Sequence, residues 1–361
     1  PNNHILHTLL VKLAAALLGD AEWALRMPAW TAGVLVVPIL YGVGRSMFQD
    51  PRAGRVCAWV AACHPTLCAY SQEARGYSHL FLLSAVALLA LTVALDRGGW
   101  RLWTVFALSS FLAIWSVPSG LGHLCALAGW ALIVGSASPR GRAYTIAAAV
   151  AALVASVAAY APVLGQLTAA AARWGVDVRA DPQALVGVLS GAFGVSAGGL
   201  AGLPFGALAA VGCWQLGRSR HRAVVYALLA WGLVVVAALA SGVAGQPRTY
   251  LFLAIPLMLT AAHAVVGTIP RAWGAPVLLA GILIPYLSGA VNGLLSEKPG
   301  RGMHELRDYL GTVTDGPALV VAPNVLRHQV WHYGRPSVQR RLVDAAASGR
   351  IDRLLFVVDP R

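Results

Sequence analysis

Long apolar runs without a charged side chain recur along most of this chain, and they limit it to one kind of environment. Hydrophobic residues make up 58% of the 361 residues and charged residues only 11%, with a mean hydropathy of +0.68. Soluble domains carry about 25% charged residues. A soluble globular protein is therefore excluded, and we expect an all-α polytopic membrane protein, because a helix satisfies its backbone hydrogen bonds internally.

The apolar runs predict about ten transmembrane helices, since a span of about 30 Å needs roughly 20 apolar residues, and fewer when flanking side chains reach the interface. The run from Leu102 to Gly135 is too long for one span, and Pro118-Ser119-Gly120 predicts a turn that makes it a helical hairpin. None of the 27 basic and 14 acidic residues then lies within a span. The predicted spans are 29–44, 56–70, 78–95, 102–117, 119–135, 143–164, 199–217, 223–242, 249–268 and 273–291.

The basic residues between these spans predict the sidedness, because short cytoplasmic loops are enriched in Arg and Lys. One set of connections holds eleven basic residues, and the longer opposite set up to residue 291 holds six. We therefore expect the first set to face the cytoplasm and both ends of this chain to lie outside the membrane. The preference for Arg over Lys is typical of a GC-rich bacterial genome. We therefore expect the protein to lie in a bacterial plasma membrane. The eleven are Arg45, Arg52, Arg55, Arg97, Arg101, Arg140, Arg142, Arg218, Arg220, Arg222 and Arg271.

The larger connections fall on the predicted outer side, where function is expected. Residues 5–18 are apolar but too short to span, so we interpret them as a helix in the membrane interface, as we do 182–193. Helical and strand patterns alternate from about residue 302, which predicts a small α/β module outside the membrane. The expected domains are thus a transmembrane domain, 1–291, and an extracytoplasmic module, 292–361.

Several ligand classes are disfavoured by the composition. The formal charge of +13 comes from residues scattered in short loops, without the clustered basic stripe that nucleic-acid binding needs. Cys63, His64 and Cys68 lack a second cluster that could complete a zinc site, and the five cysteines indicate no disulfide framework. No cofactor is predicted, and dependence on a divalent metal stays open.

Four motifs occur in order along the predicted outer side. They are Asn2-Asn3-His4; Gly19-Asp-Ala-Glu22 with Leu25-Arg26-Met-Pro28; Ser71-Gln-Glu-Ala-Arg-Gly-Tyr77; and Gln246-Pro-Arg-Thr-Tyr250. Residues 1–291 thereby resemble membrane glycosyltransferases of the GT-C class, in particular the family-39-like enzymes related to protein mannosyltransferases and aminoarabinose transferases. The order of the motifs and their agreement with the topology make the resemblance specific.

The resemblance implies an enzyme that takes a sugar from a polyprenyl-phosphate carrier at the outer face and passes it to a lipid, polysaccharide or protein by inverting displacement. Such chemistry needs a base for the acceptor hydroxyl and cations for the leaving phosphate. The family's catalytic acid lies upstream of the Asn-Asn-His-like run, which would place it, and a first span, before Pro1. The catalytic residue is therefore unassigned here. Glu73 is a poor substitute, because an adjacent arginine weakens a carboxylate as a base.

The expected roles follow from the chemistry of each side chain. A guanidinium at Arg75 can hold two phosphate oxygens, with Tyr77 as a hydrogen-bond donor and Glu73 orienting the arginine. Asp20 and Glu22 are interpreted as a solvated turn in which a salt bridge to Arg26 forms. His123 either packs between helices or lines a cavity. The candidate donor- or substrate-binding residues are Asn3, His4, Glu73, Arg75, Tyr77, Arg248 and Tyr250.

Other functions also fit a chain with many spans. A transporter or flippase usually carries ionisable groups or broken helices near the membrane midplane, whereas the charges here are peripheral. A polymerase or ligase of surface polysaccharide would share the chemistry and differ in its acceptor. A non-catalytic subunit of a cell-envelope assembly remains the third alternative.

Overall fold

A computed structural model describes residues 4–19, 21–135, 138–163, 203–219, 221–241 and 247–268, together with residues 165, 192 and 284. These residues form helices and their connecting turns, without a strand among them, so the all-α membrane fold is confirmed. All of them belong to one unit, Pro1–Gly293. The predicted span 273–291, the predicted interfacial segment 182–193 and the predicted α/β module 292–361 lie outside the described residues, apart from the isolated positions 192 and 284.

The helices follow the order of the predicted apolar runs. Four helical segments are long and apolar enough to cross a membrane: Glu22–Phe48, Tyr77–Arg97, Pro139–Val163 and Arg248–Thr268. A π-helical turn, Ala131–Gly135, extends α7, and short 3₁₀ segments end α8 at Ala161–Val163 and precede α11 at Pro247–Leu253. The α-helices are α1 Ile5–Leu18, α2 Glu22–Phe48, α3 Pro51–Cys63, α4 Pro65–Ser71, α5 Tyr77–Arg97, α6 Trp100–Ser116, α7 Gly120–Trp130, α8 Pro139–Tyr160, α9 Leu203–Arg218, α10 Arg222–Ser241 and α11 Ala254–Thr268.

The prediction of a single helix over 56–70 is wrong. The chain bends at His64, whose backbone is extended (φ −65°, ψ 115°), and helices α3 and α4 lie on either side. Pro65 causes the bend, because its ring disfavours helical geometry in the preceding residue and it has no N–H to donate. After the bend, α4 packs against α2 and leads into the loop that carries Arg75.

The hairpin predicted from the turn at Pro118 is confirmed. Helix α6 ends at Ser116 and α7 begins at Gly120, where a Cβ atom would lie 2.9 Å from the backbone of Ala113 and Ile114. Only glycine permits this close approach of the two helices.

The core of the described helices is built around large buried side chains that include Phe81, Phe106 and Trp130.

The Arg-rich ends of the helices meet at one end of the bundle. The Arg222 guanidinium binds the Asp96 carboxylate at 2.8 and 3.3 Å and the carbonyl oxygen of Ser46 at 3.4 Å. This contact connects the start of α10 to the ends of α5 and α2. At the opposite end the chain brings together the start of α1, the loop after α4 and the 3₁₀ segment before α11.

Candidate phosphate-binding site

The arginine cluster lies at the opposite end of the bundle from Arg222 and contains His4, Tyr70, Glu73, Arg75, Tyr77 and Arg248. Its centre is the buried ring of Tyr77, which is 2% exposed. The ring centroids of His4 and Tyr70 lie 4.9 and 5.1 Å from that of Tyr77, and the Arg248 guanidinium carbon lies 5.7 Å from it. Residues far apart in sequence therefore converge on one aromatic ring.

His4 is held in a single orientation at the start of α1. Its Nδ1 donates a hydrogen bond of 2.9 Å to the carbonyl oxygen of Ser116, since a carbonyl can only accept. Burial lowers the pKa of His4, and the positive charges of Arg75 and Arg248 lower it further, against the effect of the Ser116 carbonyl. His4 is therefore neutral near pH 7, and its other ring nitrogen carries a lone pair.

Arg75 lies on the short loop between α4 and α5. Its Nε lies 3.5 Å from Oε2 of Glu73, and both side chains are about two-fifths exposed (41% and 42%). Glu73 is the ion-pair partner of Arg75 among the described residues, and the guanidinium has further N–H groups that could bind a ligand. The arrangement agrees with the expectation that Glu73 orients Arg75.

Arg248 reaches the same ring from a segment 171 residues further along the chain than Tyr77. Its guanidinium lies over the face of Tyr77, a cation–π contact. Its Nε is buried, and the described residues offer it no hydrogen-bond acceptor. A buried guanidinium N–H without an acceptor is costly, and an anion at this position would satisfy it.

The remaining predicted residues have other surroundings. The ring of Tyr250 packs against Phe252, at a bend in the 3₁₀ segment, and Asn3 lies outside the described residues. The predicted salt bridge between Glu22 and Arg26 is confirmed, while Asp20 lies outside the described residues. His123 is buried and its Nε2 lies 2.9 Å from the Tyr226 hydroxyl, so it packs between α7 and α10.

Tyr70 is a member of the arginine cluster that the motifs do not reveal. It lies one residue before the Ser71–Tyr77 motif, is half-buried, and packs its ring against Tyr77. In a sequence, a tyrosine at the end of an apolar run is typical of an interfacial anchor. The position of Tyr70 beside Tyr77 follows from the bend at His64, which the sequence motifs do not predict. No group of three or more His, Cys, Asp or Glu side chains suited to a metal occurs within the described ranges.

This chain is similar in sequence and in fold to known proteins. Residues 3–165 match the family model described as dolichyl-phosphate-mannose-protein mannosyltransferase. The structure of ArnT from Cupriavidus metallidurans in the apo state superposes with a TM-score of 0.58 at 17% identity, covering 77% of this chain and 52% of that chain. The fold is that of the GT-C class. The resemblance to GT-C enzymes that the motifs predicted is thereby confirmed.

A second GT-C protein gives a similar match. The oligosaccharyltransferase of Archaeoglobus fulgidus, in a complex with Zn and sulfate, superposes with a TM-score of 0.55 at 16% identity, covering 88% of this chain and 47% of that chain. The same enzyme tethered to an acceptor peptide gives 0.54 at 14% identity, over 100% of this chain and 53% of that chain. This chain thus spans about half the length of the GT-C structures it matches. A comparison with curated protein sequences gives no match.

The family match covers part of the arginine cluster. His4, Glu73, Arg75 and Tyr77 lie within residues 3–165, and Arg248 lies beyond them. The contact of Arg248 with Tyr77 therefore joins a residue outside the matched segment to one inside it.

Proposed function

We propose that this chain is a glycosyltransferase that transfers a sugar from a polyprenyl-phosphate-linked donor to a lipid, polysaccharide or protein acceptor at the outer face of a bacterial plasma membrane. The arginine cluster binds the phosphate of the donor. The observation that carries the proposal is the contact of Arg248 with the ring of Tyr77, which lies two positions after Arg75, at one end of a GT-C fold.

The charges of the cluster match a single lipid phosphate. Two guanidinium groups and the Glu73 carboxylate give a net charge of +1, which balances the single negative charge of a phosphodiester. Arg248 carries a buried N–H without a described acceptor, and Arg75 has N–H groups beyond its contact with Glu73. Both arginines can therefore donate charge-assisted hydrogen bonds to one phosphate group.

The reaction is an inverting displacement at the anomeric carbon. The acceptor oxygen forms a bond to that carbon, the bond to the phosphate oxygen breaks, and the electron pair leaves on the polyprenyl phosphate. A general base takes the proton of the acceptor hydroxyl. As the departing phosphate gains a second negative charge, Arg75 and Arg248 stabilise it, and this charge increase gives the arginines their catalytic effect.

The sugar-transfer assay separates this proposal from the alternatives. Membranes carrying the chain are given a radiolabelled polyprenyl-phosphate hexose, and consumption of the donor is followed. We expect consumption by a protein that carries this chain together with the family's catalytic acid, and a loss of about 100-fold or more for Arg75→Ala and Arg248→Ala in that protein, because each removes a charge contact to the leaving group. A transporter or flippase would move the donor between leaflets without breaking the sugar–phosphate bond.

Arg26 provides a matched control for Arg75. Its side chain is 39% exposed and pairs with Glu22, as Arg75 is 41% exposed and pairs with Glu73. The control variant Arg26→Ala therefore removes an arginine of similar exposure from another ion pair. Equal losses for Arg26→Ala and Arg75→Ala, or no consumption of any donor in a panel of polyprenyl-phosphate sugars, would count against the proposed function.

A further inference from the structure

The last residues of α6 and the turn after them, residues 114–119, are here called the α6–α7 corner, and three side-chain hydrogen bonds from or to distant parts of the chain meet there. The last carbonyl groups of a helix have no partner within it. At the end of α6, Tyr160 from α8 donates to the carbonyl oxygen of Ile114 at 2.9 Å, and His4 from α1 donates to that of Ser116 at 2.9 Å. Side chains from two distant helices therefore anchor to this corner.

One side of the corner contacts the segment that carries Arg248. The Ser119 hydroxyl donates a hydrogen bond to the carbonyl oxygen of Thr249, the residue after Arg248. Serine and threonine lie 130 positions apart in sequence. This hydrogen bond is made to the backbone next to Arg248. It therefore fixes the backbone position from which the Arg248 side chain extends.

The other side of the corner contacts the loop that carries Arg75. Gly76 follows Arg75, and a Cβ atom on Gly76 would lie 2.9 Å from Nδ1 of His4 and 3.0 Å from the carbonyl oxygen of Ser116. The backbone of Gly76 therefore packs directly on the hydrogen bond between those two residues. A larger residue at this position would push the Arg75 loop away from the corner.

We propose that the α6–α7 corner is the positioning element of the arginine cluster, and that Ser119 is a positioning residue that acts through Arg248. The corner binds the backbone on either side of the cluster, so it sets the position of Arg248 relative to Arg75. The inference rests on the proposed function, because the property it explains is the binding of one phosphate by both arginines.

The test measures binding of undecaprenyl phosphate to the purified full chain in nanodiscs, with undecaprenol as the ligand that lacks the phosphate. We expect Ser119→Ala to weaken binding of undecaprenyl phosphate about fivefold and Ser119→Thr, which keeps the hydroxyl, to bind within about twofold of the parent. Binding of undecaprenol should be the same in all three proteins. A parent-like affinity in Ser119→Ala would overturn the inference.

Tyr160→Phe is the matched control for a merely structural role. It also removes a long-range hydrogen bond to the end of α6, but Tyr160 is not bonded to either arginine segment. We expect it to lower the thermal midpoint of unfolding and to leave the affinity for undecaprenyl phosphate unchanged. An equal loss of affinity in Tyr160→Phe and Ser119→Ala would show that general loosening of the corner explains both, against the inference.

Double variants identify the arginine through which Ser119 acts. In an Arg248→Ala background, Ser119→Ala should cause no further loss of affinity, whereas in an Arg75→Ala background it should still cost about fivefold. Independent effects of Ser119 and Arg248 would overturn the inference while leaving the proposed function intact. If Arg75→Ala and Arg248→Ala both bind undecaprenyl phosphate as the parent does, the proposed function itself fails.

Discussion

At the residue scale, the histidines near the arginine cluster are buried in their neutral form. His7 is 4% exposed, lies on α1 one turn after His4, and packs its ring 5.3 Å from that of His79. Burial lowers the pKa of His7 to about 4, and the neighbouring His4 adds to the effect. The packing of the neutral His7 ring contributes to stability only while that ring stays uncharged.

This burial predicts a pH dependence of stability. In the unfolded chain His7 takes up a proton near pH 6.5, whereas in the folded chain it does so only near pH 4. The unfolded state therefore binds more protons between these values, so the contribution of His7 is fully present above pH 6.5 and is lost as the pH falls towards 4. We expect the thermal midpoint to fall over this range and to fall less steeply in His7→Gln.

The measurement that decides is the slope of the thermal midpoint against pH in each protein. The midpoint at a single pH does not decide, because His7→Gln also changes packing. Lys12→Gln is the control, since Lys12 is an exposed residue on the same helix. The same slope in the parent and in His7→Gln would contradict the prediction.

At the element scale, glycines set how closely the helices approach. Gly212 on α9 faces α11, where an added Cβ atom would collide with the carbonyl oxygen of Thr260. Small residues at helix contacts are typical of membrane proteins, because van der Waals packing between close backbones stabilises the helix pair. Helix α11 follows directly on the 3₁₀ segment that holds Arg248, so this contact also supports the arginine cluster.

We expect Gly212→Ala to reduce the yield of folded protein and its thermal midpoint, because α9 and α11 must separate. Gly217→Ala is the control on the same helix, as nothing lies within 4 Å of an added Cβ atom there. In a helix interior alanine is favoured over glycine by about 1 kcal/mol, so this control should be neutral or slightly stabilising. Similar thermal midpoints for the two variants would show that the contact is not tight.

The positions of helices were largely predictable from sequence, and the details that differ have local causes. Within the described ranges, the predicted spans up to residue 268 overlap helices, apart from the break at His64 in the span predicted over 56–70. Helix α2 extends beyond the predicted 29–44 to Glu22–Phe48, because charged residues such as Arg26 and Arg45 remain helical where the chain leaves the apolar region. The bend at His64 needed the steric effect of Pro65, which hydropathy alone does not register.

The site was predictable only in part, because its assembly depends on contacts over long sequence distances. The motifs identify Glu73, Arg75 and Tyr77 as neighbours in sequence. That Arg248 and His4 contact the same tyrosine ring depends on how the helices pack, and no local pattern encodes it. Ser119 carries no motif at all, and its hydrogen bond to the Thr249 backbone is visible only in three dimensions.

At the scale of the whole molecule, the two ends of the bundle differ in chemistry. Arg222, Asp96 and other charged residues lie at one end, and the aromatic arginine cluster lies at the other. The sequence predicts that the Arg222 end faces the cytoplasm. The loop after α4 would then be exposed outside the cell, where a donor delivered to the outer leaflet can reach it.

Cysteine labelling tests this orientation. In a variant without the five native cysteines, Ala74→Cys in the loop after α4 should react with a membrane-impermeant maleimide in spheroplasts. Arg101→Cys at the start of α6 should react only after the membrane is opened. Both positions are exposed on the protein surface, so reactivity reports the side of the membrane rather than burial. The reverse labelling pattern would contradict the predicted topology.

The placement of charge along the described spans determines how the membrane voltage can act on these helices. In the four apolar spans, the charged residues lie within the terminal turns, and the central turns carry none. A membrane voltage does work on a charge that moves through the bilayer, about 2.3 kcal/mol for each elementary charge at 100 mV. The central turns of these four helices therefore hold no charged side chain on which the voltage could do work. A tilt or shift of these four helices would therefore couple to the membrane voltage only through the charged residues in their terminal turns.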